Sequence, residues 1–283
     1  MLSKLKILLI FVPISLGFSY FLDGSLLSFL SSALAIIPLA ALMSDLTDQL
    51  RFQLGSSWGG LINVTFGNAT ELIISLFALY DGLLNVVKAN ITGSIIMNLL
   101  LVLGLSFFLG GLKYKRQEFD KLLAITNSAM LMLAVVGMLV PAIFYFGSPN
   151  IRTVVLGRLS MGVGFVLFST YLASLYYTLI FHEREKHDRK IKRGNSENLY
   201  PAVKVNMKNP QNKPEEVSIN KGKSKKDKGL LWKNVLYLFI ITAFIALEAN
   251  ILVSSISVLQ KSLNISPVFI GIIILPLISN VAE

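Results

Sequence analysis

Two short runs place carboxylates inside apolar segments. Asn68-Ala69-Thr70-Glu71 is followed at once by an apolar stretch, 72–79, and Asn280-Val281-Ala282-Glu283 closes another. A charge at bilayer depth costs roughly 2.5–3.5 kcal/mol on insertion scales, so an intramembrane glutamate marks a functional site by default. On a continuous helix Asn68 and Glu71, three residues apart, share a face. Thr70 can add a hydroxyl oxygen. One carboxylate beside amide and hydroxyl oxygens is the donor set that hard cations such as calcium prefer. The candidate cation ligands are therefore Glu71, Asn68, Glu283 and Asn280. The plainer alternative is that Glu71 is a neutral, hydrogen-bonded residue that helps helices pack.

The elements that must position these residues follow from composition. The chain has 283 residues, 54% hydrophobic and 15% charged, and several apolar runs approach or exceed the ~20 residues that span hydrocarbon. This is the pattern of an all-α, polytopic membrane protein. The net charge of +10 is concentrated in one hydrophilic stretch, so it speaks to topology and a lipid bilayer rather than to nucleic acid. There is no cysteine, which excludes disulfides and thiolate metal sites.

About eight transmembrane helices are expected, at 5–22, 24–43, 57–79, 91–111, 122–146, 154–181, 232–258 and 267–283. Lys4 and Lys6 ahead of the first resemble a signal-peptide start, but more spans follow, so a retained helix is expected. Asp45, Asp48 and Arg51 read as a short polar connection. In the third segment Gly59, Gly60 and Gly67 permit either close helix packing or a break near Gly67 that would free backbone carbonyls. Ser94 and Asn98 form a second polar pair, suited to support or to lining a cation path. Pro141 predicts a kink and Pro276 a helix disruption. The domains expected are a first transmembrane half at 1–181, with its signature repeat at 59–80, a basic cytoplasmic linker at 182–231, and the start of a second half at 232–283. His182 and His187 lie in the linker and show no metal-ligand spacing.

With the N-terminus in the cytoplasm, the basic cluster Lys113, Lys115 and Arg116 and the basic linker all fall on the cytoplasmic side, as the positive-inside rule requires. The third segment then runs outward and the eighth inward. Two like motifs entering from opposite sides are the pattern of an inverted-repeat transporter. Each glutamate lies ~20 Å into its segment at 1.5 Å per residue, near the middle of the hydrocarbon.

The run GGLINVTFGNATELII at 59–74 resembles the first signature repeat of the cation/proton exchangers, within the calcium/cation antiporter superfamily. GSIIMNLLLVLG at 93–104 and FFLGG at 107–111 are similar to its next helix. Residues 269–276 with Asn280 to Glu283 are similar to the start of its second repeat. The resemblance implies a calcium/proton antiporter of inverted-repeat architecture, present here as its first half and the start of its second. It implies that Glu71 and Glu283 bind the cation at mid-membrane, accompanied by Asn68 and Asn280. No cofactor is implied beyond calcium as the transported ion. Calcium and protons are the expected partners; manganese or sodium would suit the same oxygens. The membrane is a cell membrane in a prokaryote, and a vacuolar or other organelle membrane in a eukaryote. No nucleotide-binding motif or catalytic constellation points to an enzyme.

Three departures qualify the resemblance. Ser279 stands where the family has glycine. Asn250 stands where relatives commonly carry an acid, with Glu248 two residues before it. The sequence ends at Glu283, so the second half is expected to be truncated and the chain alone silent in exchange. A separate C-terminal half or a homo-oligomer would then be its partner. The rival readings are a non-transporting truncated membrane protein or interaction partner, and a cation channel that uses the same carboxylates without coupled protons.

The topology has a direct test, because the chain lacks cysteine. Cysteines placed by Lys115→Cys and Lys190→Cys are expected to resist impermeant thiol reagents outside intact cells. Rapid external labelling of either would reverse the orientation.

Overall fold

In hydrocarbon every backbone N–H and C=O needs a partner within the protein, so apolar runs of this length fold as helices. The computed structural model describes residues 6–22, 24–117, 119, 121–147, 154–176 and 228–281, and no strand occurs among them. A 3-10 turn, Lys6–Ile10, leads into α1, Phe11–Phe21. Next come α2, Leu26–Leu54, α3, Ser56–Phe66, and α4, Ala69–Tyr80. α5 runs Leu84–Lys113 with a π-helical turn at Asn98–Val102. α6 is Lys121–Gly147 and α7 is Val154–Tyr176. α8 is Lys228–Ser254, α9 is Ile256–Leu263, and α10 is Pro267–Asn280 with a π-helical turn at Ile270–Ile274. Each of the eight expected segments is mostly helical in its described residues, and among the described residues five helices are long and apolar enough to cross a membrane.

Three expectations need correction, and one alternative is resolved. Asp45, Asp48 and Arg51 do not form a connection; they continue α2 to Leu54. Polar side chains do not interrupt the helical ladder once it leaves hydrocarbon, and the helix stops at Gly55, whose φ of 87° is open chiefly to glycine. Of the two readings of Gly67 the break is the one found, since the third segment is two helices separated at Gly67 and Asn68. The fourth begins at Leu84, so Lys88 is helical rather than part of a loop. Pro276 does not end its helix. Proline cannot donate to the carbonyl four residues before it, and the irregularity is taken up ahead of it by the π turn at Ile270–Ile274. The linker at 182–227, with His182 and His187, and Glu283 lie outside the described residues.

The chain forms two compact units, Met1–Gly104 with Glu183–Glu283, and Leu105–His182. In the first, α2 is the spine, packed against α1, α3, α8 and α10. Its buried face is rich in small residues, including Ser28, Ser31, Ser32, Ala33, Ala35, Ala40 and Ala41. Small residues let helix backbones approach closely, which is the usual source of helix association in lipid. Two of the hydroxyls are satisfied within the helix, Ser31 donating to Leu27 O at 2.7 Å and Ser32 to Phe29 O at 3.0 Å, while Ser28 donates to Leu22 O ahead of it at 3.1 Å. Two apolar clusters flank this spine, one around Phe29, Ile36, Ile74, Leu252 and Leu275, the other around Leu39, Met43, Leu50, Leu238 and Ile245. In the second unit α6 meets α7 where Gly137 faces Leu167. Its outward side chains, such as Phe144 and Phe165, are apolar and exposed, as a lipid-facing surface requires.

α5 crosses α10 at backbone distance. A Cβ added to Gly93 would lie 2.5 Å from Ile272 O and 2.6 Å from its Cα. A Cβ on Gly271 would lie 2.8 Å from Val86 O. Backbone atoms cannot yield as a side-chain tip can, so Gly93→Ala is expected to lower stability by about 1–3 kcal/mol. Thermal unfolding of the variant in detergent, against the parent chain, checks this.

Candidate cation site

The site begins at the break between α3 and α4. Gly67 N–H donates to Asn63 O at 2.8 Å and closes α3. A Cβ on Gly67 would lie 2.5 Å from that same carbonyl, so glycine is needed there. Asn68 then leaves helical geometry, at φ −117° and ψ 20°. α4 restarts with Leu72 N–H donating to Asn68 O at 3.2 Å. The break places Glu71 in the first turn of a helix, where the unpaired N–H groups and the positive end of the dipole favour an anion. The Glu71 carboxylate accepts from its own backbone N–H.

Thr70 and Glu71 are buried, at 3% and 9% exposure. They line a small pocket with Ala40, Met43 and Ser44 from α2, Phe66 and Gly67 from the break, and Ser279 from α10. The Ser279 hydroxyl, which donates to Pro276 O at 3.3 Å, shares this pocket with Glu71, so the fold brings the two polar motifs together. Asn280 is buried beside Ser279. It turns its amide nitrogen back onto its own helix, donating to Pro276 O at 2.9 Å, and leaves its oxygen without a partner among the described residues. Asn68 is placed differently. The break puts it at the N-cap rather than one turn below Glu71 on a common face; it is exposed and does not line the pocket.

Asn90 and Ser75 were not among the sequence-based candidates. Asn90, 1% exposed, donates to Ser75 Oγ at 2.9 Å and sits 3.5 Å from Glu71 O. It ties α5 to the helix that carries Glu71. A signal for it was present: Asn90, Ser94 and Asn98 recur every four residues and so fall on one helix face.

Six buried oxygens have no hydrogen-bond partner among the described residues: Gln53 Oε1, Glu71 Oε2, Asn90 Oδ1, Ser94 Oγ, Asn98 Oδ1 and Asn280 Oδ1. Buried polar atoms are normally paired, and each orphan costs about 1–3 kcal/mol. All six are oxygens, and only one belongs to a carboxylate. Of these residues Glu71 lines the pocket, and carboxylate, amide and hydroxyl oxygens are the donors a hard cation takes. Among the described residues no three His, Cys, Asp or Glu side chains cluster.

Helices long and apolar enough to cross a bilayer define a multi-pass integral membrane protein. The chain belongs to the sodium/calcium exchanger protein family, which matches residues 24–180 and 233–283. It is 40% identical over 278 residues to a Ca(2+)/H(+) antiporter of Synechocystis sp., covering 98% of this chain and 71% of that protein. It is 36% identical to the Ca(2+)/H(+) antiporter ChaA of Bacillus subtilis, covering 96% of this chain and 71% of that protein. Vacuolar cation/proton exchanger 3 of Oryza sativa is 34% identical, over 99% of this chain and 63% of the plant protein. The solved structure of native YfkE is similar at a TM-score of 0.71 and 31% identity, covering 100% of this chain and 70% of that one. The resemblance carried by the signature runs therefore extends over nearly the whole chain.

Asn90 offers a check on the architecture of the site. Asn90→Ala removes the donor to Ser75 and is expected to cost about 1–3 kcal/mol, since a buried hydroxyl loses its partner. Thermal unfolding measures it, and an unchanged midpoint would show that the tie between α4 and α5 is not needed.

Proposed function

We propose that this chain exchanges calcium for protons across a membrane, with Glu71 as a cargo-binding carboxylate. The observation that carries the reading is the unpaired Glu71 Oε2, held in a pocket at a helix break within a transmembrane segment. Discontinuous helices of this kind form ion sites in secondary transporters, where helix ends and freed carbonyls face the cargo. The calcium/proton antiporters among its relatives point to the same cargo.

Exchange requires no chemistry on the substrate. Glu71, with Glu283 as the second carboxylate, holds either one divalent cation or protons. Two empty carboxylates repel, so protons and calcium compete for the same charge. The neutral oxygens of Thr70, Ser279 and Asn280 complete the environment of the ion. Alternating exposure of the site to the two sides then moves whichever cargo is bound. Manganese or sodium would meet the same oxygens, and selectivity among them is a matter of ligand number and cavity size.

The test places the chain in sealed vesicles that are acidic inside, with calcium outside. It is run alone and with co-expression of the part of a relative that this chain does not match. Calcium uptake that collapses with the pH gradient is expected, and Glu71→Gln is expected to reduce it to background while leaving membrane insertion intact. Uptake indifferent to the gradient would indicate a channel, and full exchange by the variant would remove Glu71 from the mechanism.

Competition also sets a pH dependence. If binding calcium displaces two protons, each unit rise in pH on the calcium side strengthens apparent affinity by up to ~100-fold, until the carboxylates are already ionised and the slope falls to zero. Calcium titrations at a series of external pH values measure this slope. A slope of zero throughout the series would exclude shared sites.

A further inference from the structure

A second carboxylate lies buried in the first unit, and the exchange reaction above makes no use of it. Glu248 on α8 is 0% exposed, and so is Ser15 on α1. Between Lys233 and Lys261 it is the only charged residue. Its neighbours on α8, Ile245, Ala249 and Leu252, are fully buried and apolar. Neither Glu248 nor Ser15 lines the Glu71 pocket.

The geometry of this pair poses a counting problem. Ser15 Oγ lies 2.7 Å from Oε1 and 2.6 Å from Oε2 of Glu248, and 2.9 Å from Val12 O. A hydroxyl has one hydrogen, and it cannot serve three acceptors. Among the described residues no other side chain hydrogen-bonds the carboxyl group. One additional proton closes the count. The carboxyl O–H donates to Ser15 Oγ, and the Ser15 O–H donates to Val12 O. All three distances suit O–H···O hydrogen bonds.

Nothing charged on the packed elements offers another solution. α1 has no charged residue, and Tyr20, its one titratable group, is 83% exposed near the helix end. α2 has none before Asp45, and Asp45, Asp48 and Arg51 sit in its last part. α4 contributes Glu71, which lines its own pocket with Ser279. On α8, Lys228, Lys233 and Tyr237 lie in the first three turns, at least ~16 Å away along the helix at 1.5 Å per residue. On α9, Lys261 is exposed.

We propose that Glu248 and Ser15 hold one resident proton, at a site separate from the cargo pocket, and that this protonated pair fastens α1 to α8. The proton is not exchanged for calcium. It cancels the one charge on an otherwise uncharged span and supplies the donor that the α1–α8 contact lacks. Neither helix has another side-chain hydrogen bond to the other among the described residues.

Infrared spectroscopy of the chain in lipid vesicles reads this directly, because a protonated carboxyl has a carbonyl stretch distinct from the carboxylate bands. A protonated-carboxyl band is expected at neutral pH. Glu248→Gln should remove it, while Glu71→Gln should leave it in place. Ser15→Ala, which keeps the carboxyl, should shift the band to higher frequency as its hydrogen bond is lost, and covers the case in which Glu248→Gln fails to fold. Added calcium should not diminish the band. The proposal is overturned if the parent chain shows no such band, if only Glu71→Gln removes it, if Ser15→Ala leaves its frequency unchanged, or if calcium abolishes it. Loss of calcium uptake in Glu71→Gln bears on the cargo site alone, so the two readings fail independently.

Discussion

The structure depends on a carboxylate that must stay inside a membrane protein without a basic partner. A regular helix through Glu71 would offer it only apolar neighbours and no free donors. Breaking the helix at Gly67 and Asn68 changes that, because the second helix then begins beside Glu71 and presents unpaired N–H groups to it. The break also opens the backbone enough for a pocket to form against α2 and α10. Glycine is required at the break because any side chain at Gly67 would collide with the Asn63 carbonyl. The polar site is therefore a consequence of local backbone geometry as much as of side-chain chemistry.

That site is held by close helix approach rather than by large apolar side chains. The small-residue face of α2 lets α8, α3 and α10 come near. Gly93 and Gly271 let α5 and α10 cross with backbone against backbone. In lipid the hydrophobic effect gives little reason for helices to associate, so packing and hydrogen bonds must do it. Asn90 adds a hydrogen bond from α5 to α4 close to Glu71. The π turns in α5 and α10 belong to the same pattern, since the first begins at Asn98 and the second lies just ahead of Pro276 and the second motif. Wider turns of this kind commonly accompany functional sites in helices.

The two buried glutamates are treated differently by the fold. Glu71 keeps one oxygen unpaired and lines a pocket. Glu248 is sealed, with a hydroxyl against both its oxygens. The first arrangement suits a group that binds and releases a charged cargo. The second suits a group whose charge is suppressed and whose hydrogen bond joins two helices. Burial alone does not distinguish them; the number of available donors and acceptors around each carboxyl does.

Much of this was legible in the chain itself. The apolar runs determine which segments are helical, because hydrocarbon admits no unpaired backbone and the signal is local and continuous. The polar motif around Glu71 stands out for the same reason, as does the Asn90, Ser94 and Asn98 stripe once a four-residue spacing is sought. Gly67 announces the possibility of a break, but one sequence does not say whether a glycine bends a helix or packs it. Only the tertiary structure decided that Asn68 leaves the pocket while Ser279 enters it, and that Ser15 meets Glu248. Those outcomes join residues 208 and 233 positions apart, and they depend on how closely and at what rotation helices approach. Hydrophobicity is similar all round a membrane helix, so it sets the span but not the face that each helix turns to its neighbours.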